Sequence, residues 1–171
     1  MGNRYNSQGN PRKAQSYIQK AFEIKPGNTN VQLLLVQVIA QQSDAYMNDG
    51  NNLKLMYQNV NDLLEKYDVL SDNKQIINLM YKMALGMAGY YYYDNNAREG
   101  RIYKERFEAY YDSVGVNLDY ETKFAVEKAY STIAAYYFKR NNYREARKVV
   151  EKALVYFPDS YSLKRKLKAL D

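Results

Sequence analysis

Residues 130–158 read YSTIAAYYFKRNNYREARKVVEKALVYFP. Their apolar members fall at helical intervals twice over. Tyr130, Ile133, Ala134 and Tyr137 follow i, i+3, i+4, i+7, and Tyr143, Ala146, Val150, Ala153 and Phe157 continue in steps of three and four. Between them Lys139-Arg140-Asn141-Asn142 is short and wholly polar. Two amphipathic helices joined by so short a link fold back on each other as an αα-hairpin. Pro158 closes the second helix, and Asp159 or Ser160 can cap a third over roughly residues 160–170. That last helix carries Leu163, Leu167 and Leu170 on one side and Lys164, Arg165, Lys166 and Lys168 on the rest.

The same grammar extends upstream. Gly9-Asn10-Pro11 is a turn with proline at a first helical position, and Pro26-Gly27-Asn28 stops the helix that follows. Residues 30–47 form a helix with Val31, Leu34, Leu35, Val38 and Ile39 inward. Asn48-Asp49-Gly50-Asn51 is a loop, and residues 52–67 are helical through Leu53, Met56, Tyr57, Val60, Leu63, Leu64 and Tyr67. Asp72 with Gln75 forms a capping box that opens a helix to Tyr93. Asp94-Asn95-Asn96 breaks it, residues 98–112 are helical again, Gly115 ends that helix and Asp119 caps the next. The pattern predicts about eight helices and no strand. Sparse punctuation, 3 Pro and 8 Gly in 171 residues, argues the same way, since an all-β chain needs far more turn residues.

With these positions in place, segment 130–158 resembles a tetratricopeptide repeat, whose pattern runs aromatic, Leu-Gly, Tyr, Ala, aromatic, Pro. The matching places hold Tyr130, Ile133-Ala134, Tyr137, Ala146, Val150 and Pro158, with a further small residue at Ala153. Segment 1–26 is similar to the same unit with its beginning missing: Met1-Gly2, Tyr5, Gly9, Ala14, Ile18, Ala21 and Pro26. Between the two, the repeats are degenerate. Ala14 to Ala146, and Pro26 to Pro158, span three helix pairs, so the mean period is about 44 residues, longer than the regular ~34. The organisation expected is one all-α domain over 1–171: a truncated repeat at 1–28, long degenerate helix pairs at 29–118, a regular repeat at 119–158 and a capping helix at 159–171. The fold class implied is a right-handed αα-superhelix, because paired amphipathic helices bury their stripes by stacking.

Composition bounds the chemistry. There is no His, Cys or Trp, which removes disulfides, zinc sites built on Cys or His, haem ligation and every Ser-His arrangement. Asp62, Glu65 and Asp68 share helical spacing, as do Glu105, Glu108 and Asp112, and read as solvated helix faces rather than acid/base pairs. Gly86-Met87-Ala88-Gly89 lies inside a predicted helix, where small residues allow close helix contact, and not after a strand, where a phosphate loop belongs. No cofactor, metal or catalytic residue is expected, and the chain is not expected to be an enzyme. No apolar run reaches the ~18–20 residues of a membrane span, and residues 1–5 carry no signal-peptide core. The chain reads as soluble, with no compartment indicated.

Net charge is +6 and unevenly spread: +4 over residues 1–28, −3 over 29–118 and +5 over 119–171. Basic ends without a continuous stripe favour a protein partner over nucleic acid. Tyr90-Tyr91-Tyr92-Tyr93 sweeps ~300° of a helix surface at ~100° per residue, so at least one ring faces solvent or a partner; Tyr92 is taken as the contact. The resemblance implies a protein-interaction scaffold binding a peptide or partner protein in a concave groove lined by each pair's first helix. Carried over to this chain, that face holds Lys128, Ser131, Ala135, Phe138 and Lys139, then Asn30, Leu33, Gln37 and Gln41, then Asn3 and Asn6. Family members that clamp a terminal carboxylate have Asn where this chain has Ala135, so that clamp is not expected. The alternative is a helical-repeat nucleic-acid-binding module using the basic ends and exposed tyrosines. Beginning at Met1-Gly2, the first helix keeps about two turns, too short to cover its partner. That predicts a C-terminal piece of a longer repeat protein, or a first helix supplied by a partner, and self-association through an N-terminal edge exposing Tyr17 and Phe22.

Overall fold

A computed structural model describes residues 11–46, 49–71, 73–114 and 118–170. Nine helices and no strand occur among the described residues: α1 (Pro11–Ile24), α2 (Thr29–Tyr46), α3 (Gly50–Lys66), α4 (Asp68–Ser71), α5 (Lys74–Tyr93), α6 (Ala97–Val114), α7 (Tyr120–Phe138), α8 (Tyr143–Tyr156) and α9 (Tyr161–Lys168). The all-α class and the helix-pair order are as expected. The four-residue α4 was not anticipated, because one turn is too short to show a period. The expected stub at 1–8, the capping residue Asp72 and the terminator Gly115 lie outside the described residues. Asn73 takes up the capping of α5, its side chain accepting the backbone N–H groups of Gln75 and Ile76 at 3.1 and 3.2 Å.

Packing divides the chain into two compact units, residues 1–83 and 84–171. In the first, Pro11 begins α1 as its geometry favours. Asn28 caps α2 by accepting the Val31 N–H at 3.2 Å, and Asp49 caps α3 by accepting that of Asn52 at 3.1 Å. Ala14, Ile18, Leu35, Val38, Ile39, Leu53 and Val60 form the core. Phe22 belongs to that core too: it is 0% exposed and meets Tyr67 edge-on at 4.9 Å. The expectation that Phe22 lies on an uncovered edge is therefore corrected, since the end of α3 covers it; Tyr17 is 40% exposed, and Ala21 is exposed.

The second unit repeats one hairpin twice. Asn95 and Asn141, 46 residues apart, both sit at positive φ (61° and 56°), the left-handed conformation that Asn tolerates. Asn96 and Asn142 follow, and their side chains accept the N–H groups of Glu99 and Glu145 at 3.3 and 3.2 Å. The backbone N–H groups of Asn96 and Asn142 donate to the carbonyls of Tyr91 and Tyr137 at 2.8 and 3.0 Å. The same offset carries 130–158 onto 84–112 and places Gly100 where the later hairpin has Ala146. The two hairpins thus share their turn, while the second helix of the earlier one differs in its large and small residues, Phe107 standing at the place of Ala153.

Small residues set the helix spacing. Ala146 and Ala153 of α8 are 0% exposed, and a Cβ on Gly89 of α5 would stand 3.3 Å from the Ala129 Cα of α7. Ala146 is fully buried at the edge of a hollow, so Leu there must repack its neighbours, and we expect Ala146→Leu to lower stability by about 1–3 kcal/mol. Thermal melts check this; a midpoint unchanged from the native chain would mean the site has room.

The last helix, α9, is capped by Ser160, whose hydroxyl accepts the Leu163 N–H at 3.1 Å and donates to the Glu127 carboxylate. Leu163 is fully buried, while Lys164, Arg165 and Lys168 are exposed, the division expected of a helix that closes the end of a stack.

Candidate partner-binding groove

Helix α7 buries one face and presents another. Val126, Ala129, Tyr130, Ile133 and Ala134 point into the core. Lys128, Ser131, Ala135, Phe138 and Lys139 recur at steps of three, four, three and one, which puts them on the opposite stripe. Ser131 is half-buried and the others are exposed, Phe138 at 49%.

Two hollows flank this stripe, and Ala135 lines both. The first, about 210 Å³, lies between α7 and α9 over Ala146 and Val150 of α8; Ser131, Ala135 and Phe138 line it together with Lys166, Ala169 and Leu170. The second, about 330 Å³, lies between α7 and the end of α5, where Tyr93, Asn95, Tyr136, Lys139 and Arg140 surround it. The small side chain of Ala135 is what lets the two adjoin. Arg140 is held in place: its guanidinium lies 3.7 Å from the Tyr136 ring centroid and donates to Asn95 Oδ1 at 3.0 Å and to the Tyr136 carbonyl at 3.2 Å.

The structure brings Ser131, Phe138 and Lys139 of the expected face to this groove; Lys128 lies on the same stripe beyond the lining of either hollow. Tyr92 is corrected. It is 2% exposed, pinned edge-on against Tyr136 at 5.2 Å and hydroxyl to hydroxyl with Tyr137 at 3.2 Å. The member of the tyrosine run that faces outward is Tyr93, 80% exposed. Sequence reasoning also missed Arg140 and Lys166, one in a turn and one in a helix read as a cap. The 46-residue offset was the available signal for Tyr93, because it sets Tyr93 at the place of Lys139. Asn30, Leu33, Gln37 and Gln41 are exposed along one face of α2 in the unit 1–83, and Asn3 and Asn6 lie outside the described residues.

The carboxylates of α6 have a different use. Glu108 accepts the Tyr130 hydroxyl at 2.8 Å and pairs with Lys104 at 2.8 Å. Asp112 accepts the Tyr156 hydroxyl at 2.8 Å and pairs with Lys152 at 2.7 Å. Hydrogen bonds from Lys152 and Tyr156 hold the Asp112 carboxyl below its ordinary pKa. Burial first, and the adjacent carboxylates second, push both phenols far above theirs. These acids satisfy buried hydroxyls rather than serving as an acid/base pair. Asp62, Glu65 and Asp68 are exposed, and no group of three or more acidic side chains positioned for a metal occurs among the described residues. No helix of the described residues is long and apolar enough to cross a membrane.

Compared with known proteins, the chain matches the tetratricopeptide repeat family at residues 1–28 and again at residues 127–160. No curated protein and no solved structure matches it.

Proposed function

We propose that this tetratricopeptide repeat protein is a scaffold that binds a peptide or partner protein in the groove between α5, α7 and α9. Tetratricopeptide repeats mediate protein–protein interactions, and proteins built from them are typically non-catalytic scaffolds. The observation that carries the groove reading is Phe138: a large apolar ring, half out in solvent, beside an open hollow floored by Ala135 and Leu170. An exposed apolar surface rimmed by polar groups marks an interaction site.

The test replaces Phe138, and separately the exposed Lys148 of α8, with a photo-crosslinking amino acid, and irradiates each variant in extract of the source cell. A discrete protein adduct at Phe138, resistant to nuclease and absent at Lys148, is expected. Equal labelling at both positions, no adduct at Phe138, or a nuclease-sensitive adduct would overturn the reading.

A further inference from the structure

We infer that the groove is built for an acidic segment carrying one bulky apolar side chain, an inference that rests on the groove being the binding face. Three cations from three different elements surround the paired hollows: Lys139 at the end of α7, Arg140 in the turn after it and Lys166 on α9. Among the described residues, none lining either hollow is acidic. Four other cations of this unit pair with carboxylates: Lys104 with Glu108, Lys148 with Glu145, Arg147 with Glu151 and Lys152 with Asp112. Among the described residues no ion pair involves Lys139, Arg140 or Lys166. The groove is therefore a local positive field: three cations and, among the described residues, no lining carboxylate.

Arg140 is the fixed member. Its contacts are an amide oxygen, a carbonyl and an aromatic face, none of which neutralises it. A guanidinium has five N–H donors, so donors remain for a carboxylate while the rest hold its plane still. A cation ordered before the ligand arrives loses little entropy on binding. Lys139 and Lys166, on flexible stems, adapt to further carboxylates along the segment.

The hollow between α7 and α9 sets the other requirement. At about 210 Å³ it exceeds the ~150 Å³ cavity known to hold one benzene, and Ala135, Phe138, Ala169 and Leu170 make its walls apolar. That is room for one side chain the size of Leu, Met or Phe. A flat row of exposed rings, the platform that stacks successive bases, is not what the described residues form here: Tyr92 is buried and Tyr136 is covered by Arg140, leaving Tyr93. A protein segment fits this combination better than a nucleic acid does.

The test uses the full chain and fluorescein-labelled peptides with both termini capped, so that no terminal carboxylate takes part. One peptide pool has a central Leu or Phe flanked by Asp and Glu; a second exchanges the acids for Lys; a third exchanges the central residue for Ser. A single-stranded oligonucleotide is the fourth probe. Fluorescence anisotropy should show the acidic apolar pool binding about tenfold or more tighter than the other two pools, and weakening as salt rises. Lys139→Glu with Lys166→Glu should cost that pool about tenfold, and the milder Lys139→Gln with Lys166→Gln should cost less. Phe138→Ala should erase the preference for Leu or Phe over Ser. Equal binding of acidic and basic pools, indifference to charge reversal in a variant with native helicity, or tighter binding of the oligonucleotide would overturn the inference. If the acidic pool does not bind while the Phe138 crosslink still captures a protein, the charge inference fails and the groove reading stands; if both fail, both are wrong.

Discussion

Titrated to high pH, the unit 84–171 should lose its helices over a narrow range above pH 10. Tyr92, Tyr111, Tyr130 and Tyr156 are 5% exposed or less, and burial raises all four phenols above their ordinary value of 10. A group whose pKa is raised by folding contributes stability that is complete below the unfolded pKa and is lost as pH climbs toward the folded one. Above pH 10 the unfolded chain releases these protons and the folded chain keeps them. Each such group then costs about 1.4 kcal/mol per pH unit, so four remove roughly 5 kcal/mol by about pH 11. That is comparable with the whole stability of a typical domain. Phenolate absorbance from the buried set should rise together with the loss of helical circular dichroism. Tyr130→Phe removes one of the four and should make the loss less steep. Ionisation of these four near pH 10, with helicity intact, would contradict the packing described.

Gly100→Leu should destabilise the same unit by about 3 kcal/mol, the upper end of what overpacking costs. A Cβ on Gly100 would stand 2.5 and 2.9 Å from the Cδ2 and Cε2 of the Tyr92 ring and 3.2 Å from the Ala88 carbonyl. The ring cannot swing away, because Tyr136 meets it edge-on and its hydroxyl is tied to Tyr137. Gly100→Ala carries the same clash, offset in part by the better helix propensity of Ala, and should cost about 1–2 kcal/mol. Chemical denaturation of both variants decides it. Equal or greater stability for either would mean that α5 and α6 do not approach through this glycine. Gly100 stands where the later hairpin has Ala146, and it has gone one methyl smaller because a tyrosine occupies the space a methyl would need.

Helix existence was legible because it is a local property. The 3.6-residue spacing of apolar side chains, the polar break at 139–142, the proline at 158 and the caps Asp119 and Ser160 each act within a few residues of themselves, and each appears in the structure where the sequence indicates. The stripe Ser131, Ala135, Phe138, Lys139 was legible for the same reason, since one helix sets which side chains share a face. Asn73, next to Asp72 and equally able to cap, accepts the first free N–H groups of α5.

Which member of a run faces outward is not local. Tyr90 to Tyr93 are identical side chains at successive 100° steps, and nothing in the run distinguishes Tyr92 from Tyr93. The distinction comes from α7, which lays Tyr136 and Tyr137 against one ring and leaves the next in solvent. Phe22 likewise looked uncovered from its own helix and is closed by Tyr67, 45 residues away. The acids Glu108 and Asp112 carry no mark in the sequence that buried phenols from α7 and α8 will point at them. The pattern of one chain segment specifies its helices and their faces, since those depend on bonds and neighbours a few residues off. Burial, pKa and the joining of two hollows at Ala135 depend on side chains brought together from separate helices, and only packing sets those distances.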